Sequence, residues 1–209
     1  MIFVRVMIES GEVGGLKPSG EAVLMKKYLL AIGMVTVCVL SGLVTAGHRS
    51  AFGSNAITVQ QVEAFAYVCL QQKGPFDKIQ EAIGSLIQEM QAQNVVPAGA
   101  LIGIYFNSPD QVKPEDLLWE IGFPVTSQAL IQPPLQKKEW NFTQVVVSLH
   151  QGPYEKIGET IQKMMEWMEA NGYAPAGPFL ERYMDMNPEE LKPEELKTEV
   201  WIPCQKKTG

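Results

Sequence analysis

The chain writes one pattern twice. Gly74-Pro75-Phe76 returns 78 residues later as Gly152-Pro153-Tyr154, Pro97-Ala98-Gly99 returns as Pro175-Ala176-Gly177, and Tyr105 as Tyr183. Further along the spacing becomes 79: Lys113-Pro114-Glu115 matches Lys192-Pro193-Glu194, Glu120 matches Glu199, and Pro124 matches Pro203. One residue inserted in the loop before Lys192 explains the change. Two copies are too few for a solenoid, so the duplication predicts a single closed, pseudo-symmetric domain. We set that domain at residues 59–206, with repeat 1 at 60–125 and repeat 2 at 140–204. Residues 126–139, with Pro133-Pro134 and Lys137-Lys138, connect the two.

Each copy reads strand–helix–strand–strand. The β-formers between Ile57 and Gln71 predict the first strand of repeat 1. Gly-Pro then opens a helix, proline being suited to the first helical position. Phe76, Ile79, Ile83, Leu86, Ile87 and Met90 form one apolar stripe, and its counterpart is Tyr154, Ile157, Ile161, Met164, Met165 and Met168. A Pro-Ala-Gly turn, a short strand (101–106 or 179–185), a polar Pro-rich loop and a glutamate-bearing strand complete the unit. The expected fold is α+β: a curved antiparallel sheet, two helices on one face, and a central ligand groove on the other.

Ahead of this domain the chain is different. Residues 1–24 show no periodicity and read as an upstream extension, with Met25 the true start. Lys26-Lys27 followed by the apolar run 28–46 and the small residues Thr45-Ala46-Gly47 has the shape of an export signal. Residues 25–47 are thus a cleaved signal peptide or a retained membrane anchor, residues 48–58 a linker, and the folded part is extracytoplasmic. Without the first 47 residues the chain holds 13 basic and 20 acidic side chains. That balance disfavours a nucleic-acid partner, so none is expected, and it favours cations. Cys69 and Cys204 fit no metal-binding spacing and His48 and His150 are the only histidines, so neither metal nor cofactor is expected. The two cysteines are either buried thiols or, in an exported protein, a disulfide.

Alternation along the last strand places Glu199, Trp201 and Pro203 on one face, with Val200 and Ile202 opposite. A carboxylate beside an indole suits an organic cation. In the middle strands Ile102, Ile104 and Phe106 claim one face for the core, which turns Tyr105 the other way. Its partner Tyr183 shares a face with Phe179 and Glu181. Tyr105, Tyr183, Glu199, Trp201 and Glu120 would then line one surface, while Trp119 points into the core and Tyr154 belongs to the helical stripe. His150 is expected at a strand end, bonded to backbone.

The His150-x-Gly152-Pro153-Tyr154 element, the Thr198-Glu199-Val200-Trp201-Ile202-Pro203 strand and the duplication together resemble the GyrI-like effector-binding superfamily. This small-molecule-binding, SOUL-related domain also occurs in AraC- and MerR-type transcription activators. The resemblance covers about residues 60–205 and implies a groove in which a glutamate of the last strand, here Glu199, reads cationic aromatic ligands. It also implies Tyr183, Tyr154 and Trp201 as the matching aromatics. Some stand-alone relatives are similar to hydrolases that open cyclopropane-bearing compounds, which would make Glu199 catalytic. No helix-turn-helix segment is present in the sequence, and no nucleophile elbow or phosphate loop. The sequence therefore predicts a stand-alone protein, a monomer or weak dimer, that binds a hydrophobic or cationic small molecule, with xenobiotic hydrolysis through Glu199 as the alternative.

Overall fold

The computed structural model describes residues 56–207. Nine strands form one antiparallel sheet: β1 (Thr58–Gln61), β2 (Phe65–Lys73), β3 (Leu101–Tyr105), β4 (Leu118–Pro124), β5 (Gln136–Trp140), β6 (Gln144–Gln151), β7 (Tyr173–Pro175), β8 (Phe179–Tyr183) and β9 (Lys197–Lys206). Two helices, α1 (Ile79–Ala92) and α2 (Ile157–Ala170), each follow a single 3₁₀ turn. The strand order is β1-β6-β9-β8-β3-β4-β2-β5, with β7 pairing the far end of β9. The predicted unit is therefore present twice, as β2-α1-β3-β4 and β6-α2-β8-β9, and the copies join along the β3–β8 ladder. In that ladder Gly103 faces Glu181, its own counterpart in the other repeat. An internal pseudo-two-fold axis thus passes through this residue pair.

The turn that enters each helix needs glycine. Gly74 has φ +119° and Gly152 φ +139°, values that L side chains rarely adopt. The apolar stripes then face the sheet as their spacing predicts. Helix α1 buries Ala82, Leu86, Ile87 and Met90 over Trp119, Ile121 and Phe123 of β4. Helix α2 buries Ile157, Met164 and Met168 over Val146, Val200 and Ile202 of β6 and β9. Each helix covers its own half of the sheet. The central pair β3–β8 lies between them.

The face without helices is not an open groove. Trp140 on β5 and Trp201 on β9 are five strands apart, which in a flat sheet is about 24 Å, yet their ring centroids are 6.5 Å apart. The sheet is rolled toward this inner face. Strand β1 precedes β2 in sequence but pairs with β6, and β5 precedes β6 but pairs with β2. Three-residue connectors thus stitch the two ends of the roll, and the Val62 N–H donates to the Thr143 carbonyl at 2.8 Å. Tyr67, Ile102, Ile104, Trp140, Val147, Leu180 and Trp201 fill the interior.

Three expectations are corrected here. The strand expected over 57–71 breaks at residues 62–64, because β1 leaves for the opposite end of the sheet. The connecting segment 126–139 contains most of β5. The groove expected opposite the helices is occupied by the chain's own core. Cys69 and Cys204 are free, buried thiols in separate clusters. Among the described residues no helix is long and apolar enough to cross a membrane, and the segments 1–24 and 28–46 lie outside the described residues.

Leu86 and Met164 are repeat counterparts, and both have 0% exposure. Leu86→Ala and Met164→Ala should each cost about 2–5 kcal/mol through lost transfer energy plus a cavity. Urea denaturation followed by tryptophan fluorescence measures this. A loss below about 1 kcal/mol for either variant would contradict the core assignment.

Candidate functional site

Three buried carboxylates sit in the interior strands: Glu120, Glu181 and Glu199. Two of them point into the roll. Glu199 accepts from Arg182 Nη1 at 2.6 Å and from Trp201 Nε1 at 2.9 Å. The Arg182 guanidinium also lies over the Trp201 ring, 5.1 Å from its centroid. Glu120 pairs with Lys138 and accepts from the Tyr67 hydroxyl at 2.9 Å. The Cys69 thiol lies 3.6 Å from the same oxygen, and burial with the Glu120 charge pushes it up to about 12. The carboxylate-and-indole arrangement expected at Glu199 and Trp201 therefore exists, with a cation over it. That cation is the chain's own arginine, delivered by the β8–β9 register in which Arg182 faces Glu199.

Tyr105 and Tyr183 are not on this surface. The alternation was sound, but both faces of β3 are buried, and Ile102 and Ile104 point into the roll while Tyr105 faces the helices. Tyr105 and Tyr183 thus stand opposite Glu199, Trp201 and Glu120, on the outer face between α1 and α2. There they meet the third carboxylate. Tyr183 Oη donates to Glu181 Oε2 at 2.8 Å, and Tyr105 Oη donates to the Tyr183 oxygen at 2.9 Å. Phe76 stands edge-on to Tyr105 at 5.4 Å, and its repeat counterpart Tyr154 stands edge-on to Tyr183 at 5.6 Å. Two aromatic pairs, one from each repeat, flank one carboxylate.

The symmetry fails where it matters. Glu181 has Gly103 as its counterpart, so the axis carries one charge instead of two facing each other. A Cβ on Gly103 would lie 2.8 Å from the Tyr105 hydroxyl. Glycine is what lets the Tyr105 ring lie across the strand and reach the centre. Glu181 is 6% exposed, and burial raises its pKa to about 7, against the pull of the Tyr183 and Tyr105 hydroxyls. Burial and the Glu181 charge hold both tyrosines well above the usual phenol range. Burial also brings Tyr154 to about 12, with Asp185 and Glu181 adding to it. Among the described residues no lysine, arginine or histidine pairs with Glu181.

His150 lies at a strand end as expected, with Nδ1 2.8 Å from Thr160 Oγ1 and Nε2 3.1 Å from the Pro153 carbonyl. Among the described residues no group of acids, cysteines and histidines could hold a metal. A cleft of about 270 Å³ between α2 and β7, lined by Met165, Tyr173 and Lys207 among others, faces no buried charge. Glu181 itself was missed as a site residue. Its signal is an acid at a position that the other repeat fills with glycine, a comparison the duplication makes available.

A family model, the GyrI-like small molecule binding domain, matches residues 55–205. The chain belongs to this family. No curated protein matches it. Among solved structures, the EcmrR C-terminal domain is similar at TM-score 0.64 and 19% identity, covering 72% of this chain and 98% of that one. An uncharacterized conserved protein from Listeria innocua gives 0.60 and 14%, covering 73% and 93%. A hydrolase from Listeria innocua gives 0.57 and 16%, covering 74% and 94%. At these identities the likeness shows the fold alone: the GyrI-like α+β sheet with two helices.

Arg182→Met strands the Glu199 charge inside the roll with only the indole N–H, so it should cost about 3 kcal/mol. Adding Glu199→Gln should recover most of that loss. Guanidinium denaturation of the single and double variants checks both statements, and equal stability of the two would show that the pair is not closed.

Proposed function

We propose that this GyrI-like domain binds a lipophilic organic cation on the outer face, between α1 and α2, with Glu181 in place of Glu199 as the countercharge. One observation carries the reading. Of the three buried carboxylates, Glu120 and Glu199 are matched by Lys138 and Arg182, and Glu181 is matched by no cation among the described residues. An unpaired buried charge is costly, and a cationic ligand removes that cost. Tyr105, Tyr183, Phe76 and Tyr154 supply π-faces around it, each cation–π contact contributing about 0.5–2 kcal/mol. In this reading Tyr105, Tyr183 and Tyr154 remain ligand-binding residues, and Glu120, Glu199 and Trp201 shape the interior.

The test uses naphthylmethyltrimethylammonium and its isostere with carbon in place of nitrogen. The cation should bind at least about tenfold more tightly, and Glu181→Gln should erase the difference while leaving the neutral compound unchanged. Charging of Glu181 sets the pH dependence. Below about 7 the group is protonated, so cation affinity should rise with pH through that value and level off above it, while the neutral compound stays flat. Isothermal titration at several pH values measures both. Equal loss of both compounds on Glu181→Gln would remove the carboxylate from recognition.

A second reading, hydrolysis, is favoured by one feature. A carboxyl poised near 7 and hydrogen-bonded to a tyrosine relay is matched to proton transfer at neutral pH. Turnover of a strained-ring electrophile, read by mass spectrometry and abolished by Glu181→Gln, would establish it. For location we infer export or tethering through residues 25–47, supported by Lys26-Lys27 and the apolar run after them. Fractionation of the full chain should place it in the membrane or outside the cytoplasm. Recovery from the cytosol with Met1 intact would exclude this.

A further inference from the structure

The two halves of the outer-face site differ in one more place. In repeat 1, Trp119 stands beside Tyr105 in the sheet, donates to the Gly74 carbonyl at 3.0 Å and packs on Phe76 at 6.1 Å. Its counterpart 79 residues later is Thr198, which stands beside Tyr183. A large aromatic with a satisfied N–H is replaced by a small side chain whose hydroxyl finds no partner among the described residues. Thr198 is fully buried, and its Oγ1 has no hydrogen-bond partner among the described residues.

Neither cross-strand neighbour bonds to it. His150, cross-strand on one side, has both ring nitrogens engaged, by Thr160 and by the Pro153 carbonyl. Tyr183, cross-strand on the other side, gives its hydrogen to Glu181 and accepts from Tyr105. Buried hydroxyls in folded proteins are almost always paired, because removal from water without replacement is unfavourable. A threonine kept unpaired here, on the same face as Glu181 and one strand away, is a polar group left available.

We propose that Thr198 is a second recognition point of the site, its hydroxyl held for a hydrogen-bonding group on the ligand. The proposal rests on the cation-binding reading above and narrows it. The preferred ligand is a monocation, since the axis carries a single carboxylate. It bears a neutral polar substituent, such as a hydroxyl, ether or amide, offset from the charge toward repeat 2. Its apolar part lies against Phe76 and Tyr105 on the repeat 1 side. Hydrocarbon cations bind through Glu181 but leave Thr198 unserved.

The test is a series of naphthylmethyltrimethylammonium compounds carrying one hydroxyl or methoxy group at successive ring positions, titrated calorimetrically into the intact chain. At least one position should bind about fivefold or more tightly than the unsubstituted cation, as one added hydrogen bond predicts. That gain should vanish in Thr198→Val, survive in Thr198→Ser, and leave the unsubstituted cation unaffected by either change. Thr198→Val should also melt no lower than the parent chain, because it swaps an unpaired hydroxyl for a methyl of the same shape. A gain that persists in Thr198→Val, or no gain at any position, overturns the proposal while leaving Glu181 in place. A clearly lower melting temperature for Thr198→Val would show that the hydroxyl is paired within the fold, with the same consequence. Failure of the unsubstituted cation to bind the parent chain would remove the cation-binding reading, and Thr198 with it.

Discussion

Apolar side chains stand on both faces of this sheet, and both must leave water. The inner face is buried by rolling the sheet until strands five places apart touch through Trp140 and Trp201. The outer face is buried by helices, and the duplication supplies one per half. A roof in two pieces has a seam. Helix α1 covers β2 and β4, helix α2 covers β6 and β9, and the seam falls on β3 and β8. Aliphatic residues there would be half covered. The chain instead places two tyrosines and a glutamate along it, side chains that combine an apolar body with a polar end.

The three buried carboxylates show how context assigns roles. All three sit in strands of the sheet interior, and all three are nearly inaccessible. Two have an internal cation within bonding distance. Glu181 has two phenols in relay and is moved from the ordinary carboxyl value to about 7. A shift of that size corresponds to roughly 3 kcal/mol disfavouring the charged form. Cation–π contacts from the flanking rings, together with the ion pair of the proposed complex, are of the magnitude needed to reverse it.

The sequence showed the duplication, the two helices and the alternation on β3, β4, β8 and β9, since each is written in local spacing. It did not show β1 and β5 as exchanged strands, because pairing partners far apart in sequence leave no periodic mark. The site was half legible. Tyr105, Tyr183 and Tyr154 meet on the outer face, whereas the alternation had set the first two beside Glu199 and the stripe had set Tyr154 on the helix; Trp119 turns into the core as its register requires. Glu199 stands out in the sequence because it lies near an indole, whereas its neutralising partner Arg182 lies on the next strand. Only the β8–β9 register reveals that the cation is already present. The assumption that a sheet has one core face also failed, and it moved Tyr105 to the wrong side.

The pairing of Gly103 with Glu181 has a consequence for how such a site can be encoded at all. In a homodimer built from two separate copies of one repeat, the residue on the symmetry axis faces itself. Glycine opposite glycine would bring no charge, and glutamate opposite glutamate would set two carboxylates against each other in a buried place, forcing them to share a proton. Joining the copies into one chain lifts that restriction, because each position on the axis is then specified independently. A single, unopposed carboxylate at the centre of a two-fold scaffold is available to a tandem polypeptide and closed to its symmetric half-length ancestor or analogue.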